Sequence, residues 1–385
     1  MFALPVYVTR PRLPDRAGLD RHLDSIYESG KLTNNGPLVR ELEARLQRRL
    51  DAGFCAAICN GTVALQVALR ALDLEGEVIT TPFTFPATVH AIEWNGLEPV
   101  FCDVDPDTWN LDPAAVASIV SRRTGAVLPV HVFGNPCDVE AFDAISRRNG
   151  LAVVYDAAHA FAVERDGRGI GNWGDLSVFS FHATKLFHTA EGGAVVAGTD
   201  RLAAQVKLLR NFGIRDEEVV EGVGLNGKLS ELHSAVGLGV LDQVDREIER
   251  RGALDARYRD ALGGLEGVRF QKLAPGSTRN YAYFAIEIDE EAFGCSRDDV
   301  HEALRAENIV SRKYFFPLCS SNRAYSGRPS AEPSRLPNAT RLASRVLCLP
   351  LYGELPAADV DRIGEALVRI RASAAEIRGR RGSRG

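Results

Sequence analysis

From residue 54 to 200 the chain alternates short β-branched runs with helix-patterned stretches, and this alternation constrains the fold more than any other feature. The runs Phe54–Ile58, Glu77–Thr80, Pro99–Val104, Ala126–Val132, Leu151–Tyr155, Leu176–Ser180 and Ala194–Ala197 predict strands. Helices are expected over Val63–Leu72, Pro113–Val120 and Val139–Arg148. Strands that alternate with helices build a doubly wound α/β domain whose sheet is mostly parallel. Near-continuous apolar strands such as Leu151-Ala-Val-Val-Tyr155 fit a sheet covered on both faces. A helical stretch over Leu229–Ala261 leads out of this domain. Beyond it, strands at Tyr281–Ile288 and Ser344–Leu349 and helices near Arg297–Glu307 and Ala357–Arg371 predict a smaller α+β domain. The expected division is a large domain over 14–245, a small C-terminal domain over 246–377 and a disordered basic tail over 378–385.

A chain of 385 residues is long enough for two cores. Its hydrophobic fraction of 45% and charged fraction of 25% are those of an ordinary globular protein. The net charge of −5 leaves no electrostatic footprint for nucleic acid, so no nucleic-acid partner is expected. The one basic cluster, Arg378, Arg380, Arg381 and Arg384, sits among Gly and Ser and reads as a solvated end. Seven scattered cysteines form no C-x-x-C pair, which predicts neither a zinc site nor a disulfide framework. Residues Met1–Leu13 lack the apolar core of a signal peptide, and no apolar run approaches the ~20 residues a bilayer span requires. The expectation is a cytoplasmic protein without membrane or metal.

Three segments carry chemistry. Cys59-Asn-Gly-Thr-Val-Ala-Leu65 ends a strand, turns at Gly and opens a helix, so free N–H groups at a helix start could hold a phosphate. A plain capped helix start reads the same way. In Val153-Val-Tyr-Asp-Ala-Ala-His159, an Asp stands at the C-terminal end of a buried strand, where open α/β sheets bind ligands. Such a carboxylate either pairs with a protonated pyridine nitrogen or caps the following segment. The third is Asp175-Leu-Ser-Val-Phe-Ser-Phe-His-Ala-Thr-Lys185, followed by Glu191-Gly-Gly193. Only six residues of the chain are lysine, and Lys185 alone sits among hydroxyls and aromatics after a strand. That setting suits a desolvated amine nucleophile.

The stretch Ser180-Phe-His-Ala-Thr-Lys185 with Glu191-Gly-Gly193 resembles the lysine signature of the DegT/StrS family of sugar aminotransferases, which are fold-type-I enzymes dependent on pyridoxal phosphate (PLP). Family-like segments recur in order at Thr33–Pro37, Asn60–Thr62, Thr81–Phe85, Pro129–Gly134, Asp156–His159, Asn211–Gly213 and Gly224–Glu231. The resemblance implies that Lys185 holds PLP as a Schiff base and then shuttles protons, while Asp156 holds the pyridinium nitrogen. It implies that Phe85 stacks on the ring, His159 contacts the phenolic oxygen, and Gly61, Thr62 and Ser180 bind the phosphate. Asn226 or Lys228 would reach the phosphate across a homodimer, although many members read Asn-Tyr-Arg where this chain has Asn226-Gly-Lys228. Asn34 and Asn35, in Thr33–Pro37, would serve the partner's site.

Within the family, Gly224–Glu231 and Arg312–Cys319 are most similar to 4-aminotransferases of dTDP-4-keto-6-deoxyglucose. These use L-glutamate as donor and pyridoxamine phosphate as the intermediate cofactor form, in deoxysugar pathways of secondary metabolism. Arg279, Tyr281, Arg312, Tyr314 and Phe315 join cations to aromatics, which suits a nucleotide-linked sugar as well as ordinary domain packing. Amination at C3, a PLP-dependent dehydratase and a non-catalytic relative are the rivals. The family's known deoxysugar dehydratase replaces the lysine by histidine, so Lys185 favours transfer. Asp103-Val-Asp-Pro-Asp107 opens like a calcium loop, but Thr108 and Ala114 stand where Gly and Glu are required. His182 and His188 near Lys185 read as pocket wall rather than metal ligands.

Overall fold

A computed structural model describes residues 1–382. Seven strands form the main sheet: β1 (Cys55–Ile58), β2 (Glu77–Thr80), β3 (Glu98–Phe101), β4 (Thr124–Leu128), β5 (Ala152–Asp156), β6 (Leu176–Ser180) and β7 (Gly193–Ala197). Their order is β1-β7-β6-β5-β4-β2-β3. The pairs from β6 through β3 are parallel, while β7 runs antiparallel to both β1 and β6. Alternate residues of one strand feed cores on opposite faces. Val153 and Tyr155 pack with Leu42, Leu46 and Phe142, whereas Val154 packs with Leu65, Leu69 and Ile92. A strand buried on both sides has no position for a polar residue until its end, and β5 meets its first carboxylate at Asp156.

Each expected strand exists, with ends shifted by a few residues. The predicted helix over Leu229–Ala261 is two helices, Glu231–Leu241 and Val244–Leu262, broken at Asp242 and Gln243. Helices Arg16–Ser29, Pro37–Arg49, Pro86–Trp94 and Asp200–Leu209 were not among the expected elements. Gly36 gives the second of these no side-chain cap. Buried Glu231 supplies it instead, accepting from the N–H groups of Leu38 at 2.9 Å and Val39 at 3.0 Å. The Thr33–Pro37 and Gly224–Glu231 segments thus meet in space.

A second, antiparallel sheet joins β8 (Val268–Phe270), β9 (Phe284–Ile288) and β10 (Val346–Leu349). Helices Val244–Leu262, Arg297–Ala306 and Ala357–Ala372 cover it with a separate core that also takes in Phe2 and Val6. The helix Val244–Leu262 belongs to both bodies, with Val244 in the first core and Leu254, Tyr258 and Leu262 in the second. An aromatic cluster of Phe83, Phe133, Tyr283, Tyr314 and Phe315 fills the junction. Helix Ala374–Gly382 carries regular backbone into the stretch expected to be a disordered basic tail. The rest of that stretch lies outside the described residues. No helix is long and apolar enough to cross a membrane among the described residues.

Candidate active site

The C-terminal ends of β1, β5 and β6 open onto one cleft with a cavity of about 260 Å³. Its walls include Asn60, Gly61, Thr62, Phe85, Asp156, His159, Ser180, His182, Thr184, Lys185, Glu191, Tyr283, Arg312, Tyr314 and Phe315. Ligands of open α/β sheets sit at such strand ends.

Asp156 is 5% exposed, and burial raises its carboxyl above the usual range. Three contacts oppose that shift and hold the charge. Thr88 Oγ1 donates to Asp156 Oδ2 at 2.8 Å, the N–H of Ala158 donates to Oδ1 at 3.0 Å, and the Lys185 ammonium lies near. Each oxygen can accept more bonds than these, so the carboxylate can still meet a cationic N–H in the cleft. Lys185 reaches the cleft from the turn after β6, whose backbone closes through Lys185 N–H to the His182 carbonyl at 2.9 Å. Burial pushes its ammonium down from 10.5 to about 8, with Asp156 opposing and Arg312 assisting. A buried amine of this kind is a nucleophile near neutral pH.

His159 presents a defined tautomer. Its Nδ1 accepts from the Phe133 N–H at 3.3 Å, so Nε2 carries the ring proton. Burial, with Lys185 and Arg312 nearby, holds the imidazole well below its ordinary pKa, and it is neutral. It can donate to a phenolate oxygen without bringing a charge.

The first helix after β1 starts at Gly61, with Asn60 as cap accepting from the Val63 N–H at 2.8 Å. A Cβ on Gly61 would come within 2.9 Å of Ser180 Cβ, and one on Gly193 within 2.9 Å of the Asn60 carbonyl. Glycine at both places lets the helix start, the Ser180 hydroxyl and β7 close into one small cup. Free N–H groups and the helix dipole favour an anion there. At the other end Phe85 is 48% exposed and lines the cleft, its face free for a flat ring. An anion cup, a carboxylate for a cationic ring nitrogen, a neutral donor, an open aromatic face and a desolvated lysine together fit PLP.

The structure separates the other predicted residues. Arg312, Tyr314 and Phe315 line the cleft, and the Arg312 guanidinium lies 4.0 Å over the Tyr314 ring with no ion pair among the described residues. Arg279 and Tyr281 do not reach the cleft. Arg279 makes two bonds to Asp255, at 2.7 and 2.8 Å, and stacks on Tyr281, lining a separate crevice. Asn34 and Asn35 adopt positive φ of 60° and 59° and line a surface groove with Lys207, Arg210 and Lys228. Lys228 lies over the Phe212 ring and the Asn226 backbone bridges to Asn211, and neither residue lines the cleft. His182 is cleft wall, whereas His188 is buried with Nε2 bonded to the Arg12 carbonyl at 2.9 Å. Sequence reasoning missed Thr88, Thr184 and Tyr283. Among the described residues no group of three or more His, Cys, Asp or Glu side chains is set to hold a metal ion.

The fold and the cleft define a fold-type-I PLP-dependent transferase. Residues 16–368 match the DegT/DnrJ/EryC1/StrS aminotransferase family. The chain belongs to that family. It is 40% identical over 351 residues to the dTDP-4-amino-4,6-dideoxy-D-glucose transaminase of Shigella dysenteriae, covering 91% of this chain and 95% of that one. Among solved structures it superposes on DesI, determined with its TDP-sugar product, with a TM-score of 0.94 and 42% identity over 99% of this chain and 96% of that one. It also matches S. venezuelae DesV, solved in complex with a ketimine intermediate, at a TM-score of 0.86 and 32% identity over 95% and 99% of the two chains.

The apoprotein's pH behaviour follows from Lys185. Only the neutral amine forms a carbon–nitrogen bond, and its folded pKa is about 8. Covalent uptake of PLP is therefore expected to speed up as pH rises towards 8 and to level off above it, as read by stopped-flow absorbance. Asp156 raises the lysine pKa, so Asp156→Asn is expected to move the midpoint down. A midpoint near the ordinary lysine value of 10.5 would contradict the burial argument.

Proposed function

We propose that the protein moves the amino group of L-glutamate to C4 of dTDP-4-keto-6-deoxyglucose, as a homodimer in the cytoplasm. The observation that carries this reading is Lys185 and Asp156 in one cleft whose second wall is the unpaired cation Arg312 with Tyr314. A lysine rules in transfer over the dehydratase, which would carry histidine there. The relatives named above act on, or hold, sugars of this class.

Bound in this cleft, PLP supplies an aldehyde that condenses with amines and a ring that withdraws electrons from the substrate carbon. The chain's own residues do the rest. The Gly61–Ser180 cup fixes the phosphate end, and Asp156 keeps the ring nitrogen cationic. Lys185 Nζ would hold the cofactor covalently and, as a free amine, would carry a proton to and from the substrate carbon. Arg312, exposed and unpaired, suits an anionic group of either substrate, a donor carboxylate or a sugar diphosphate.

Support for the dimer comes from residues around Asn226. Trp94, Val220 and Val223 are 78%, 67% and 80% exposed, an apolar surface that a second copy would cover. In that dimer Asn226 or Lys228 and the Asn34–Asn35 turn serve the partner's cleft. Mixing inactive Lys185→Ala with an inactive Asn226 variant is expected to restore part of the activity through hybrid dimers. Two inactive parents that exchange subunits without recovery would mean self-contained sites. The substrate assignment is tested with a panel of nucleotide-linked keto-sugars and glutamate, products being read by mass and NMR. The expected product is the 4-amino-4,6-dideoxy sugar, and preferential reaction of a 3-keto sugar would overturn the assignment.

A further inference from the structure

The mouth of the Lys185 cleft carries a polar chain with no part in holding the cofactor. Tyr283, Thr184, His182 and Glu191 all line the cleft. His182 Nδ1 takes up the Thr184 N–H at 3.3 Å and faces the Thr184 hydroxyl at 2.8 Å. A backbone N–H can only donate, so Nδ1 is an acceptor and the ring proton is on Nε2. The Thr184 hydroxyl also lies near the buried Tyr283 phenol. The outcome is a fixed donor, Nε2–H, directed to the side of Glu191.

Nε2 and Glu191 Oε1 stand 3.7 Å apart. That is too long for a direct hydrogen bond. It is, however, the separation at which one hydroxyl oxygen, at ordinary hydrogen-bond distance of about 2.8 Å from each, would bridge them. A hydroxyl suits both partners at once, because it accepts from Nε2–H and donates to the carboxylate. A carbonyl oxygen could meet only the first, and a methylene neither. His182 and Glu191 have side chains 47% and 57% exposed, so a substrate entering the cleft can reach them.

We propose that His182 and Glu191 form a reading pair for the hydroxyl on the carbon adjacent to the keto group of the sugar. On the substrate proposed above, on which this inference rests, the only such hydroxyl is at C3. The pair would thus select sugars that keep this hydroxyl and reject those already deoxygenated there. Rejection follows because a substrate lacking it leaves a carboxylate and a fixed N–H without partners as the cleft fills.

The test is a comparison of kcat/KM for dTDP-4-keto-6-deoxyglucose and for its 3-deoxy analogue. It is run on the wild-type holoenzyme and on the Glu191→Ala, Glu191→Gln and His182→Ala holoenzymes. The wild type is expected to prefer the hydroxylated sugar, and each alanine variant to reduce that preference roughly ten- to a hundredfold, the range for a hydrogen bond to a charged group. Glu191→Gln keeps the shape and an acceptor oxygen and is expected to fall between. The two alanine changes combined are expected to cost little more than either alone, since one hydroxyl serves both. A preference that survives in all variants overturns the inference, and so does an equal loss on both sugars. Failure of the wild type on both sugars overturns the proposed function itself, and this inference with it.

Discussion

Lys185→Ala is expected to abolish transamination, with a loss greater than about a thousandfold in kcat, and to remove the visible absorbance of covalently held cofactor. The expectation rests on there being no substitute amine. Lys207 lies over Phe54 at 5.1 Å, Lys228 over Phe212 at 4.6 Å, and Lys313 donates to Asp298 at 2.9 Å. None of these lines the cleft, and neither do Lys31 and Lys272. The variant keeps the phosphate cup and Asp156, so it is expected to bind PLP non-covalently, with the spectrum of a free aldehyde. Retained turnover together with retained absorbance would place the reactive amine elsewhere.

Asp156→Asn is the second large effect, roughly a hundredfold or more in kcat, the range expected when a buried charge pair loses one partner. The amide is isosteric, and its oxygen can still accept from Thr88 or from the Ala158 N–H. What it cannot do is balance a positive ring nitrogen. Cofactor binding is therefore expected to weaken less than turnover falls, because the phosphate cup is untouched. Titration of binding beside steady-state rates separates the two. Equal turnover with an unchanged spectrum would show that the carboxylate is only a cap for the Ala158 turn.

Much of this site was legible in the sequence because its chemistry sits at strand ends, where burial makes polar residues conspicuous. Asp156 breaks an apolar strand, Lys185 follows one, and Gly61 opens a helix after a third. What was not legible depends on partners brought together by the fold. Thr88 bonds Asp156 from 68 positions away and reads in sequence as one hydroxyl on a helix. Arg279 looks like a free cation until the helix Val244–Leu262 places Asp255 against it. Asn34 and Asn35 stand beside family-like residues, yet the part of that segment with a visible role in this chain is the helix start capped by Glu231. Pro86–Trp94 has no side-chain cap, so only Pro86 at its first position marks where it starts.

The central claim is that this cleft carries nitrogen from an amino acid to a sugar carbonyl. Supplying the holoenzyme with ¹⁵N-glutamate and dTDP-4-keto-6-deoxyglucose, and reading the product by NMR, tests it most directly. The expected result is ¹⁵N bonded to C4 of the sugar, one label per molecule, with 2-oxoglutarate formed in equal amount. An unlabelled sugar that has lost a hydroxyl, or a substrate returned unchanged by an enzyme fully loaded with PLP, would contradict it.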